Sequence, residues 1–173
     1  MRFGYFAFLA VATAVLTACG GGGGSDAVPA PATVTADKYV GTWGNCAPVT
    51  GAANGVLSAR TDFVFAKTGP TTLTYSLDGT YFKAVNCTGP VFDTIKAIAT
   101  GTATINGTKV AGSDTVDRVD FVGVSKDIPE LNGAFKEIAL ITGNILKFSA
   151  SSTADAQGYP TALDNTTLLT KQP

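Results

Sequence analysis

The sequence predicts an all-β domain, an antiparallel up-and-down barrel with a β-sandwich as the alternative. Three observations carry that prediction. Apolar and polar residues alternate with period two over most of the chain beyond residue 38, as in strands with one buried face. Asp78-Gly79, Asn106-Gly107 and Gly143-Asn144 stand between such runs, and dipeptides of this kind are two-residue hairpin signals. Gly accounts for 20 of 173 residues, and Thr and Val recur, a mixture that suits strands and tight turns better than helices.

The chain opens differently. Met1 and Arg2 form a minimal positive start, and residues 3–16 are an apolar run. Such a run has the length of a secretory h-region, while a bilayer needs about 20 residues of helix. Leu16-Thr17-Ala18-Cys19 follows directly. This motif resembles the lipobox of bacterial lipoproteins: a branched apolar residue, two small residues, then cysteine. The resemblance implies that residues 1–18 are a signal peptide recognised through Leu16, Thr17 and Ala18. It implies a diacylglyceryl group on the Cys19 sulfur, cleavage before Cys19 and acylation of the new amine, with palmitate among the acyl chains. Each buried CH₂ contributes about 0.8 kcal/mol, so two or three chains hold a protein on a membrane. By resemblance to the sorting rules of diderm bacteria, Gly20 after the lipidated cysteine implies the outer membrane, facing the periplasm of the cell envelope.

Residues 19–37 carry Gly20 to Gly24 and then a Pro/Ala stretch. Such composition buries no apolar area and reads as a flexible tether. No strand precedes the glycines and no GK[ST] follows, so they are not a phosphate loop. Residues 38–173 are then a single domain. With Cys19 lipidated, Cys46 and Cys87 remain, and an even remainder in an oxidising compartment reads as a disulfide. The rival, a redox-active or metal-binding thiol pair, finds neither CxxC spacing nor His.

Within the domain, residues 39–44 are the first strand. Leu57, Ala59, Thr61, Phe63 and Phe65 alternate with Ser58, Arg60, Asp62, Val64 and Ala66 on the second. A turn at Asp78-Gly79 pairs Leu77 with Thr80 and Tyr75 with Phe82, collecting Leu73, Tyr75, Leu77, Phe82 and Ala84 on one face. In that register Cys87 points outward, which predicts a clasp at the barrel rim. A turn at Asn106-Gly107 gives an inward set of Ile95, Ala97, Ala99, Gly101, Ala103, Ile105 and Val110. Residues 116–124 and 166–171 are further strands. Gly143-Asn144 joins 135–142 to 145–150, where apolar residues on both faces predict cover on both sides. Segment 129–140 fits a strand or a helix face, Gly133 weakening the helix. The count is eight to ten strands.

Tyr39-Val40-Gly41-Thr42-Trp43 is similar to the first-strand Gly-x-Trp signature of lipocalins and fatty-acid-binding proteins. That resemblance implies a lipocalin-like barrel in which Trp43 closes one end. Those families' late arginine, which caps the tryptophan, has no clear counterpart here, Lys171 being a poor candidate.

Composition narrows the chemistry. The formal charge is -1, so no basic surface suggests nucleic acid. There is no His, hence no Ser-His-Asp engine and no imidazole metal site. Asp114, Asp117 and Asp120 would alternate between faces of a strand. Asp93, Glu130, Glu137, Asp155 and Asp164 could form a glycosidase-like pair only through the fold. Ser25, Ser58 and Ser76 sit in no nucleophile elbow. No cofactor is implied, no metal residue is named, and an enzyme is the last of three expectations. The first is a structural or interaction role for a membrane-anchored envelope lipoprotein with unspecified protein partners. The second is binding of a small apolar ligand. Trp43, Phe63, Phe65, Tyr75 and Phe82 would line its pocket, with unfilled volume beside the small residues 97, 99, 101 and 103. The same aromatics serve equally as plain core.

Overall fold

The computed structural model describes residues 35–173 except 52, 151 and 152. The leader, the motif residues Leu16, Thr17, Ala18 and Cys19, and the tether as far as residue 34 lie outside the described residues. Eight strands follow one another: β1 (Gly41–Pro48), β2 (Ser58–Lys67), β3 (Thr72–Phe82), β4 (Val91–Ala111), β5 (Asp114–Ser125), β6 (Gly133–Thr142), β7 (Ile145–Lys147) and β8 (Leu169–Lys171). Each pairs antiparallel with the next, and β8 returns to β1 through Trp43↔Lys171 and Gly44↔Thr170. The molecule is a closed up-and-down barrel, and the sandwich alternative is excluded. Segment 129–140 resolves into a short 3-10 turn, Pro129–Leu131, and the start of β6. No helix among the described residues is long and apolar enough to cross a membrane.

Two of the three expected hairpin turns are not turns. β3 runs straight through Asp78-Gly79, pairing with β2 without a slip from Lys67↔Leu73 to Ser58↔Phe82. A two-residue hairpin of the favoured kinds needs positive φ at its first central residue, and neither Asp78 nor Gly79 has it. The irregularity lies instead on β4, where Leu77↔Ala99 is followed by Gly79↔Ile95. The Asp78 carboxylate holds this bulge, accepting the Ala97 N–H at 3.0 Å and the Lys96 ammonium at 2.8 Å. Likewise β4 continues through Asn106-Gly107, which together oppose Arg118 between Ile105↔Val119 and Thr108↔Asp117. Only Gly107 has positive φ, at 80°, which makes the pair a β-bulge. The chain reverses at Gly112 instead. Gly143-Asn144 is a turn as expected, pairing Thr142 with Ile145.

Those bulges change which residues face inward. Ile95 and Val110 are exposed, Ala97 is exposed at φ 54°, and only 99 to 105 of the expected set line the interior. Phe82 falls on the outer face of β3, opposite Tyr75, with the Arg60 guanidinium 6.0 Å from its ring centroid.

One barrel end is closed. A 3-10 turn, Ala36–Tyr39, plugs it, with Ala36 and Tyr39 buried. The sequence assigned Ala36 and Asp37 to the tether; apolar burial at Ala36 makes them part of the domain. The Tyr39 hydroxyl donates to Asp117, which also pairs with Lys38 at 2.6 Å. Burial, followed by the Asp117 charge, pushes the Tyr39 phenol well above its ordinary pKa, so it stays a donor. Trp43 packs here, donating its indole N–H to the Tyr39 carbonyl at 2.7 Å. Lys171 lies 5.0 Å from the Trp43 ring centroid, so the residue judged a poor cap occupies the capping place.

Residues 153–165 form a strap across the outside of β5 and β6. Its Tyr159 packs over the buried Val116 and Ile138, while Ala139 packs into the barrel, so β6 is covered on both faces. Tyr159 lies near both the Arg118 and Lys136 side chains and donates to Asp120 at 2.6 Å.

Candidate functional site

Antiparallel connectivity puts the starts of β4 and β6 and the ends of β1, β3 and β5 at the end opposite Trp43. That end is open. Between it and Trp43 the interior is filled: Phe65, Leu73, Ala103, Ile105 and Val119 enclose a gap with no room for a water molecule. The small residues do not leave free volume. A Cβ on Gly101 would lie 2.8 Å from the Tyr75 ring, and one on Gly123 would lie 2.2 Å from the Tyr75 hydroxyl. Gly101 and Gly123 face each other across β4 and β5, and the Tyr75 ring occupies the space they leave.

Above this layer sits a half-open cup of about 160 Å³, lined by Phe63, Tyr75, Phe121, Leu131, Phe135, Glu137 and Phe148. Strand register builds it. Phe121 and Phe135 are cross-strand partners on β5 and β6, with rings stacked at 5.1 Å. Tyr75 meets Phe121 edge-on at 5.3 Å, and Phe148, just after β7, meets Phe63 of β2 at 5.6 Å. A second cleft of about 260 Å³ shares Phe63 and Phe148 and is bounded by Asn45, Thr61, Asp164 and Thr167.

Two polar groups belong to the cup. Glu137 accepts the Ser149 N–H at 3.3 Å. Burial pushes its carboxyl above the usual carboxylate range, and hydrogen bonds from Ser149 and Ile138 pull it part of the way back. Tyr75 is 4 % exposed, and its hydroxyl has no hydrogen-bond partner. Burial raises its pKa too, so the phenol is neutral.

Of the five aromatics expected to line a pocket, Phe63 and Tyr75 do. Phe65 lies one layer down, stacked 6.1 Å from Phe63. Trp43 is deeper, at the closed end, and lines neither cavity. Phe82 is buried on the outer face of β3, because Asp78-Gly79 is not a turn, and lines neither cavity. Phe121, Phe135, Glu137 and Phe148 were missed, although the first three alternate correctly along β5 and β6.

Four of the other carboxylates are engaged elsewhere. Asp117 serves the closed end, Asp120 binds Tyr159 and Asn106, and Asp155 pairs with Lys109. Asp164 caps its own turn through the Thr166 hydroxyl and N–H, which hold its carboxyl far below the usual range. No group of three or more metal-ligating side chains occurs among the described residues.

Cys46 and Cys87 are bonded, with Cα atoms 5.9 Å apart. Cys46 is exposed on the outer face of β1, and Cys87 lies in the connection between β3 and β4. The bridge is therefore a rim clasp. Ser58 reinforces it, donating to the Ala84 carbonyl at 2.6 Å and accepting the Cys87 N–H at 2.9 Å. No protein-family model, curated protein or solved structure matches the chain.

Proposed function

We propose that this is a lipid-anchored envelope protein whose barrel holds a small ligand in the cup at its open end. The observation that carries the reading is an unfilled aromatic cup above a solid core. A barrel built only as a spacer has no need of four phenylalanines and a half-buried carboxyl around open volume. The size limits the ligand. An apolar cavity of about 150 Å³ accepts benzene, so one ring or a short branched group fits, and a sterol or long acyl chain does not. The described chain enters the barrel at the closed end, opposite the cup.

Amide NMR titration with a panel of single-ring and short-chain compounds tests the reading. Shifts should cluster around Phe63, Tyr75, Phe121 and Phe135, with Trp43 fluorescence unchanged because Trp43 lies beyond the packed layer. A panel that moves no cup amide overturns it. The anchor is tested separately: Cys19→Ser should abolish fatty-acid labelling and leave the precursor uncleaved. Retained labelling would remove the lipoprotein reading.

A role in contacting another protein is favoured by one feature, the exposed apolar side chains Ile95, Val122 and Val124 on the outside of β4 and β5.

A further inference from the structure

The charge in the cup is one-sided. Glu137 is the charged side chain of its lining, and it takes part in none of the ion pairs among the described residues. The rings beside it are steeply inclined to one another: Phe63 to Phe148 at 51°, Phe121 to Phe148 at 71°, Tyr75 to Phe121 at 82°. Aromatic faces carry negative potential, and four phenylalanine rings line the cup with Glu137.

Three ligand classes can be compared on those terms. A neutral apolar molecule would strip water from the Glu137 carboxylate and return nothing, which costs free energy. An anion would meet like charge with no basic group to answer it. A cation gains from the ring faces, and gains most where water is excluded. It also supplies the counter-charge that Glu137 lacks. We propose that the cup binds a small organic cation, an alkylammonium or quaternary ammonium group, with Glu137 as counter-charge and the surrounding phenylalanines as walls. This rests on the small-ligand reading above and narrows it to one chemistry.

The experiment uses matched pairs that differ in charge and not in shape: choline against neohexanol, and benzylammonium against benzyl alcohol, titrated into the purified protein and followed by amide NMR. Each cation should bind about tenfold tighter than its neutral partner, the scale of a desolvated cation–π contact. Glu137→Gln should remove most of that difference while leaving the alcohols nearly unchanged. Phe148→Leu, which keeps bulk and loses the ring, should weaken the cations more than the alcohols, and serves as the second variant should Glu137→Gln fail to fold. Alcohols that bind as well as the cations overturn the inference while the small-ligand reading stands. If neither class moves the cup amides, the small-ligand reading itself fails and this inference falls with it.

Discussion

Glu137 is where stability and chemistry pull apart. Burial is the largest influence on its carboxyl and raises its pKa in the folded state, with hydrogen bonds opposing. The sign of the consequence follows by linkage. Below the unfolded-state pKa both states are protonated and nothing is lost. As pH rises through the unfolded and then the folded value, the unfolded chain ionises first and the native state is progressively destabilised. Wild type should therefore lose stability across that window, and Glu137→Gln should remove the loss and be the more stable protein at neutral pH. Urea melts at a series of pH values check this, and a less stable variant with an unchanged slope would refute it. Tyr75 offers a companion test. Its hydroxyl is buried without a partner, and such a group costs about 1–3 kcal/mol. Tyr75→Phe should be neutral or stabilising in the same melts, and marked destabilisation would mean the hydroxyl is bonded after all. Side chains that cost stability at an open cup are those expected where binding, rather than packing, set the choice of residue. The sequence alone could not reveal this, because Glu137 in a list of acidic residues looks like any other. Its neighbours become visible only when β5 and β6 are set in register.

At the level of strands, alternation was easy to read and phase was not. Phe63 and Phe65 on β2, and Phe121 and Phe135 across β5 and β6, follow from period two alone. Phase was lost at Asp78-Gly79 and Asn106-Gly107, where the local signal for a turn is strong and the long-range pairing of β3 and β4 overrides it. Those two misreadings moved Phe82 indoors and placed Ile95 and Val110 inside; Gly101 does face inward, and the Tyr75 ring fills the space beside it. The real reversals are less conspicuous: a loop around Gly69-Pro70, and Gly112. The two glycines can be told apart by experiment. Gly107 sits at φ 80°, where a side chain is strained by about 1–2 kcal/mol. Gly79 is ordinary strand, and a Cβ there meets chiefly the flexible end of Ile98 at 3.0 Å. Gly107→Ala should lower stability by about 1–2 kcal/mol, and Gly79→Ala by clearly less. A Gly79→Ala penalty equal to or above that of Gly107→Ala would restore the hairpin reading of β3.

At the scale of the whole barrel, strength is uneven around the wall. β3 and β4 share a long ladder, from Thr72↔Thr104 to Phe82↔Val91, whereas β7 and β8 share Ile145↔Thr170 and Leu146↔Leu169 alone. The wall closes through Trp43↔Lys171 and Gly44↔Thr170, another short run. Local opening follows the weakest backbone pairing, so amide exchange should begin at Thr170 and Lys171 and reach the centres of β3 and β4 last. The disulfide does not bridge this seam; it ties β1 to the connection between β3 and β4, on the other side of β2. Its 41-residue separation corresponds to roughly 4 kcal/mol in a chain-entropy estimate, acting on the unfolded state. Reduction should therefore lower global stability while leaving the order of exchange unchanged, with Thr170 and Lys171 still opening first. Reordered exchange, with β1 and β2 now opening before the seam, would show that the clasp holds the native wall together rather than restraining the unfolded chain.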